Sequence, residues 1–229
     1  MVWLRKQTVQ SRRRLEMTEE NTKRKKKKRR YSENDERSIW EDILDFVKVF
    51  AISAIVILLF VNFIAYPITV RGHSMDPTLS NGEYGYTSLV SLSTGSVNRG
   101  DIVVLRMNEE DGTESLWVKR VIGLPGETVE ARDGIVYING VALDESEYLS
   151  DEYISKALSD FQAETGYDYG TFTSDFAPVT LGEDQYWVMG DNRPWSKDSR
   201  DESVGAVSRD KFFGKGVMVL WPFDKFGFK

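Results

Sequence analysis

The sequence predicts a mostly β protein, with an antiparallel, partly barrel-like domain behind a single N-terminal transmembrane helix. Residues 49–65 form an apolar run. Short runs rich in β-branched and aromatic residues recur after it, as is typical of strands. The Asn139-Gly140 pair between two such runs is a hairpin signal. With 229 residues, the chain is long enough for an anchor and one good-sized domain.

Charge divides the chain into a basic tail and an acidic body. Of 30 Lys/Arg and 36 Asp/Glu, residues 1–48 hold 15 and 9, which leaves 15 and 27 for the other 181 residues. Residues 23–30 are all Lys or Arg, and like charges at this density disfavour compaction. We therefore expect residues 1–45 to be a disordered tail, held in the cytoplasm by its positive charge. Binding of anionic lipid or nucleic acid by the tail is the alternative. The acidic body lacks the clustered positive charge that contacts with phosphate groups need, so no nucleic-acid partner is expected.

The apolar run predicts a transmembrane helix over residues 46–66. As a helix, residues 49–65 span about 26 Å, close to the roughly 30 Å of a hydrocarbon core, and Pro67 is expected to end the helix. A buried soluble helix is one alternative, although such a helix is rarely apolar on every face. A cleaved signal peptide is another, but the preceding segment is longer than usual and Phe63 stands where a small residue is needed. With the basic end in the cytoplasm, we expect residues 67–229 to form an extracytoplasmic β domain.

That domain is expected to consist mostly of strands. The runs predicted as strands are residues 101–106, 116–122, 134–138, 141–143, 185–189 and 216–221. Residues 144–184 differ, because they are acidic and loop-like, with room for a short helix around 153–161. We interpret residues 144–184 as a peripheral insertion into the β domain.

A serine and a lysine form the candidate catalytic pair. The chain has no cysteine for a thiolate, a disulfide or a cysteine-ligated zinc, and its one histidine is His73. In an extended segment His73 and its neighbour Ser74 point to opposite faces, so a Ser-His-Asp triad is not expected and His73 is interpreted as a solvated loop residue. Lys119 lies inside an apolar run, where desolvation would lower its pKa and allow it to act as a base. From the pattern alone, an edge-strand lysine that discourages aggregation is an equal alternative.

Three segments follow the apolar run in order: residues 70–79 (VRGHSMDPTL), 119–127 (KRVIGLPGE) and 190–200 (GDNRPWSKDSR). Together they resemble the conserved boxes of type I signal peptidases, the membrane-anchored Ser/Lys proteases that remove signal peptides. The resemblance covers roughly residues 40–143 and 185–222. It is extended by Gly205, Gly214-Lys215 and Trp221-Pro222.

The resemblance implies a role for each matching residue. It implies that Ser74 attacks the scissile carbonyl, that Lys119 is the general base and that Ser196 hydrogen-bonds the lysine. It also implies an ion-pair network of Asp198 and Arg200, with Arg120 nearby, that holds the active-site loop. It implies that the Ser74 backbone N–H donates a hydrogen bond to the oxyanion. Two positions depart from the family pattern. Gly72 lacks the hydroxyl that some members use as a second oxyanion donor, and Glu127 replaces the usual aspartate, where it is expected to close the same turn.

The resemblance further implies preproteins that carry signal peptides as substrates and the lipid bilayer as a partner, with no metal or cofactor and a monomeric chain. A preprotein could dock in extended form beside residues 67–72, and the residues expected to bind it are Ile68, Val70 and Met75. Met75 and five phenylalanines are candidates for lipid contact, and for the phenylalanines core packing is the alternative. The phenylalanines are Phe212, Phe213, Phe223, Phe226 and Phe228.

Two other classes of function are distinguishable from a membrane-bound protease. A soluble Ser/Lys protein, such as a self-cleaving repressor, would need a DNA-binding domain where this chain has its apolar run. A membrane-tethered binding module without catalysis would leave a peptide with an Ala-x-Ala sequence intact.

Overall fold

The structure is a computed structural model and describes residues 17–27, 39–109 and 111–229. By chain contacts it divides into two units, residues 1–57 and 58–229. Its helices and strands are α1 (17–27), α2 (Ile39–Phe63), β1 (Ala65–Thr69), β2 (Tyr84–Ser88), α3 (Val90–Thr94), β3 (Ile102–Asn108), β4 (Glu114–Gly123), β5 (Thr128–Arg132), β6 (Ile135–Ile138), β7 (Val141–Ala142), α4 (Asp151–Thr165), β8 (Phe176–Thr180), β9 (Gln185–Met189), β10 (Val207–Ser208), β11 (Phe212–Trp221) and β12 (Gly227–Phe228). Single 3-10 turns occur at Arg193–Trp195, Arg209–Lys211 and Phe223–Lys225.

Part of the basic tail is helical. α1 consists mainly of straight-chain charged residues, which favour helix, and Arg24 lies 3.9 Å from Glu20 one turn earlier. This segment therefore differs from the expected tail without regular structure. The prediction covered residues 1–45, of which 39–45 also differ from it because they are helical in α2. Residues 1–16 and 28–38 lie outside the described residues.

α2 contains the apolar run. Over Ile39–Phe60 it is long and apolar enough to cross a membrane, and no other helix among the described residues meets that description. It begins before the predicted residue 46, with Glu41 and Asp42 in its first turn, where the helix dipole favours carboxylates. It ends at Phe63 and the chain enters β1 two residues later, so the prediction that Pro67 ends the helix is wrong.

Pro67 instead lies inside β1, which pairs with β2 and stands at one end of the larger sheet. The backbone groups of successive residues alternate between the two edges of a strand. Because the Val70 N–H donates to the Glu83 oxygen on the β2 side at 2.8 Å, the nitrogen of Pro67 faces the opposite, open edge. A proline at this position removes no hydrogen bond from the ladder.

The strands form two antiparallel sheets, which confirms the predicted fold class. The larger has the order β1-β2-β11-β3-β4-β9-β10, with β12 paired to β11, and the smaller has the order β7-β6-β5-β8. The larger sheet does not close into a barrel, since β1 and β10 lie at opposite ends of its order. Asn139 and Gly140, between β6 and β7, both have positive φ (52° and 79°), as the predicted hairpin turn requires.

Residues 144–184 are more than a peripheral insertion, and that interpretation needs correction. β8 pairs with β5 and so completes the smaller sheet. α4 begins after Ser150, whose hydroxyl accepts a hydrogen bond from the Tyr153 N–H at 3.2 Å, and ends at Gly166 in the left-handed region (φ 69°).

Residues 70–79 are held by a core cluster to which they contribute three side chains. It contains Ile68, Val70, Met75, Leu79, Ile102, Val104, Val217 and Val219. Met75 is 2% exposed and Phe212 is 7% exposed. The expectation of lipid contact is therefore wrong for both residues, and for Phe212 the core-packing alternative is confirmed. Phe213 packs partly against the same cluster, whereas Phe223, Phe226 and Phe228 are exposed.

Candidate active site

Ser74 is carried on a turn that leaves the end of β1. The turn is anchored at its far side by buried Met75 and Leu79, and the Leu79 N–H donates to the Met75 oxygen at 2.9 Å. Gly72 enters the turn with φ +84° and donates its N–H to the Asn81 side chain at 3.0 Å. The Ser74 backbone oxygen accepts a hydrogen bond from the Asn192 N–H at 3.1 Å. The turn is thereby tied to the segment 190–200.

Lys119 reaches Ser74 from β4. Its Nζ lies 2.9 Å from Ser74 Oγ, within hydrogen-bond distance. The side chain is 4% exposed, and its Nζ lies 5.6 Å from the centre of the Trp117 ring. Burial lowers the pKa of Lys119 from its ordinary value of 10.5 to about 8, while the charge of Asp198 acts in the opposite direction.

His73 turns away from this pair. Its Nδ1 lies 2.9 Å from an Asp76 carboxylate oxygen, and the side chain is 63% exposed. The interpretation of His73 as a solvated loop residue is confirmed. A histidine base for Ser74 is therefore not available from the neighbouring position.

Two buried ion pairs lie behind the serine and the lysine. The expected pair of Asp198 and Arg200 is formed, with Arg200 Nε 2.8 Å from the carboxylate. Burial opposes ionisation of Asp198, yet Arg200 and the Gly190 N–H together hold its pKa below the ordinary value. Arg120 forms a separate pair with Asp191, through contacts of 2.8 and 2.7 Å. Hydrogen bonds to Asp191 raise the pKa of Arg120 although burial acts against its charge.

Ser196 lies close to the pair but does not bond to the lysine. Its Oγ is buried and makes no hydrogen bond to Lys119, which differs from the expected contact. The polar neighbour of this hydroxyl is Asp198, and the hydroxyl makes the smallest of the contributions that lower the pKa of that carboxyl. The Ser196 side chain packs against Gly190. A Cβ at Gly190 would lie 2.3 Å from both Ser196 Oγ and the Ser74 backbone oxygen, so only glycine fits there.

The two departures from the family pattern have local explanations. A Cβ at Gly72 would meet no atom within 4 Å, so this position needs glycine for its positive φ and not for space. Glu127 accepts the Leu124 N–H at 2.7 Å and pairs with Arg99 at 2.6 and 2.9 Å. The expectation that Glu127 closes the turn is confirmed.

Residues that the sequence did not indicate complete the support. Arg193 is fully buried and pairs with Glu145, and its guanidinium also donates to the Thr173 hydroxyl at 2.7 Å. Tyr148 donates to Glu145 at 2.5 Å, and its ring lies 3.9 Å from the guanidinium of Arg120. Glu145, Tyr148 and Thr173 all belong to residues 144–184. A buried arginine signals the need for a carboxylate, but nothing in the sequence shows which carboxylate it is.

A groove of about 290 Å³ has Ser74 and Lys119 among its lining residues. It is lined by residues 69–75, residues 116–119, Trp195 and Lys197. Of the residues expected to bind substrate, Val70 and Met75 are among the lining residues, although both are largely buried. Ile68 is not among them, because its side chain packs into the core cluster under β1.

Comparison with known proteins gives a consistent result. Residues 43–221 match the family described as signal peptidase, peptidase S26. The chain is 37% identical over 185 residues to signal peptidase I S of Bacillus subtilis strain 168, covering 81% of this chain and 92% of the relative. It is 34% identical over 192 residues to signal peptidase IB of Staphylococcus aureus strain COL, covering 81% and 93%. A crystal structure of a signal peptidase I from Enterococcus faecalis V583 is similar at 34% identity and a TM-score of 0.37, covering 55% of this chain and 97% of that one. The chain therefore belongs to the signal peptidase family, peptidase S26, and is a serine endopeptidase.

Proposed function

We propose that this chain is a membrane-bound endopeptidase that removes N-terminal signal peptides from secreted preproteins, with Ser74 as nucleophile and Lys119 as general base. One observation carries the proposal: the 2.9 Å approach of Lys119 Nζ to Ser74 Oγ at a site where the lysine is almost fully buried. A serine hydroxyl is a weak nucleophile until a neighbouring base removes its proton.

Burial is what makes the lysine usable as a base near neutral pH. With a pKa of about 8, about one tenth of Lys119 is neutral at pH 7 and about half at pH 8. At the ordinary value of 10.5, the neutral fraction at pH 7 would be roughly 300-fold smaller. Burial of Lys119 thus supplies a base without a histidine.

The reaction follows from this geometry. The neutral Lys119 amine takes the Ser74 hydroxyl proton as Oγ attacks the scissile carbonyl carbon, which gives a tetrahedral intermediate. The Lys119 ammonium then gives that proton to the departing amine of the mature protein, and the signal peptide remains as an ester on Ser74. Water attacks the ester with Lys119 again as base, which releases the carboxylate of the signal peptide and restores the serine.

The oxyanion needs hydrogen-bond donors, and the Ser74 N–H is the one we assign. Gly72 has no hydroxyl to add, and its φ of +84° makes a serine there unfavourable by about 1–2 kcal/mol. We therefore expect Gly72→Ser to lower stability without any gain in activity.

The substrate segment before the cut would pair with the open edge of β1. The Val70 N–H donates a hydrogen bond to the Glu83 oxygen on the β2 side. The backbone groups of Thr69 and Arg71 therefore face the open edge of β1 and can form hydrogen bonds with an extended peptide. Val70 and Met75 border the groove next to Ser74 and limit the room there for a bound side chain. We assign Ile68 an indirect part, in which it holds β1 against the core.

Membrane attachment is proposed through α2. Its apolar residues over Ile39–Phe60 satisfy the length and composition of a single span, and the Lys/Arg-rich residues before it favour a cytoplasmic N-terminus. We propose residues 1–45 as the cytoplasmic tail and residues 67–229 as an extracytoplasmic, monomeric catalytic domain. Exposed Phe223, Phe226 and Phe228 are candidates for lipid contact.

The test is cleavage of a purified preprotein by the detergent-solubilised full chain. Ser74→Ala and Lys119→Ala should each abolish cleavage, while both variants keep the wild-type circular dichroism spectrum. His73→Ala, one residue from the nucleophile, is the matched control and should retain most of the activity, because His73 faces Asp76. An inactive histidine variant together with an active lysine variant would contradict the mechanism.

A further inference from the structure

The groove beside Ser74 and Lys119 has a third wall that the proposed mechanism does not use. It is formed by Trp195, which follows Arg193 in a 3-10 turn and is 38% exposed. Trp195 lines the same groove as Ser74 and Lys119. A partly exposed indole bordering a reactive serine offers a large, rigid apolar surface to a bound chain.

α4 holds this wall in place. The Phe161 ring packs edge-on against the Trp195 ring, with 5.0 Å between the ring centres and 70° between the planes. Phe161 is itself packed against Tyr169 at 5.2 Å and Tyr167 at 6.5 Å. The indole therefore rests on an aromatic cluster supplied entirely by residues 161–169.

The same face of α4 also reaches the turn that carries Ser74. Tyr153, Ala157 and Phe161 are spaced four residues apart and lie on one side of the helix. Tyr153 donates its hydroxyl to the Asp76 backbone oxygen at 2.7 Å, and Ala157 between them is buried. α4 thus braces two walls of the groove at contact points about 12 Å apart along its axis.

We propose that Trp195 contacts the bound preprotein and that Phe161 is a positioning residue that sets the place of the indole. The inference rests on the proposed function, since the ligand is an extended peptide that spans a signal-peptide cleavage site. It gives residues 144–184 a role: they build part of the substrate groove. Among the described residues no acidic side chain lines the groove, so Trp195 offers the bound chain an apolar contact there and not a carboxylate.

The test measures binding and not turnover. A fluorescently labelled peptide that spans a cleavage site with Ala-x-Ala is titrated into the full chain carrying Ser74→Ala, in detergent, and anisotropy gives the Kd. Adding Trp195→Ala should raise the Kd about tenfold, since buried aromatic contacts dominate peptide binding. Adding Phe161→Ala should raise the Kd several-fold, whereas adding Phe161→Tyr, which keeps the aromatic ring, should leave the Kd at the parent value.

The decisive comparison is the double variant. If Phe161 acts through the indole, Phe161→Ala should have no further effect once Trp195→Ala is present. Lys156→Ala, on the exposed side of the same helix, is the control and should bind as the parent does. An unchanged Kd for Trp195→Ala would overturn the proposal, as would an undiminished effect of Phe161→Ala in the Trp195→Ala background. Absence of binding by the Ser74→Ala parent would instead refute the proposed function, and this inference with it.

Discussion

The buried lysine should lower the stability of the fold, and Lys119→Met measures by how much. Folding moves the pKa of this amine from its ordinary value of 10.5 to about 8. A change of one pKa unit corresponds to about 1.4 kcal/mol, so burial of the protonated amine opposes folding by about 3 kcal/mol. Methionine has a similar unbranched chain and fills the same apolar site without a charge.

The sign of the effect depends on pH. Between pH 8 and 10.5 the unfolded chain binds more protons at this position than the folded chain, so wild-type stability rises with pH there. Below about pH 8 the cost is fully present, and above 10.5 it is absent because the amine is neutral in both states. The stability advantage of Lys119→Met should therefore be constant below pH 8 and shrink by about 3 kcal/mol between pH 8 and 10.5.

The assay is reversible denaturant unfolding of the full chain in detergent at pH 7, 8, 9, 10 and 10.5, with the free energy of unfolding compared between variants. Lys197→Met is the matched control, because its side chain is exposed at the rim of the same groove. Other groups titrate in both proteins and cancel in the difference. A Lys119→Met advantage that stays constant across this pH range would refute the assignment of a lowered lysine pKa.

Three further predictions follow from the same geometry. The kcat/KM for preprotein cleavage should rise about tenfold per pH unit up to about pH 8 and then level off, as expected for a base that must be neutral; a profile that turns at pH 6 to 7 would contradict Lys119. Gly190→Ala should lower kcat about 100-fold with little change in KM, since the added Cβ would displace the Ser74 carbonyl; wild-type kinetics would show that the segment can relax. Glu145→Gln should lower the free energy of unfolding by about 3 kcal/mol by leaving buried Arg193 without a carboxylate; an unchanged denaturation midpoint would show that the pair contributes nothing net.

The sequence predicted the strands with strong apolar runs and missed those without them. β9 has the predicted bounds of residues 185–189. β5, with the sequence TVEAR, buries only Val129 and Ala131, which is too short an alternation to distinguish from a loop. β8 contains Pro178, which argues against a strand unless it lies at an edge. It does lie at the end of the smaller sheet, and only the fold reveals that.

The candidate site was predictable where chemistry restricts residue type. A serine without a usable histidine left lysine as the candidate base, the resemblance to type I signal peptidases implied Lys119, and Lys119 does lie beside Ser74. The residues that hold the site were not predictable, because they act through pairing across long stretches of chain. Glu145 lies 48 positions from its partner Arg193, and any acidic residue between 144 and 184 could have filled that role.

The low pKa of Lys119 depends on how the other buried charges are partnered. Burial is the largest cause of the low value; of the neighbouring charges, Asp198 and Asp191 raise the pKa and Arg200 lowers it. Each buried carboxylate close to the lysine is held by its own arginine, so neither is left to pair with the amine, and Ser74 Oγ remains its neighbour. The arginine pairs that achieve this are Arg120–Asp191 and Arg200–Asp198. The lowered pKa at residue 119 thus depends on residues 70–79, 119–127 and 190–200, which meet only in the fold. The residues around Lys119 alone could therefore not exclude the alternative of an edge-strand lysine.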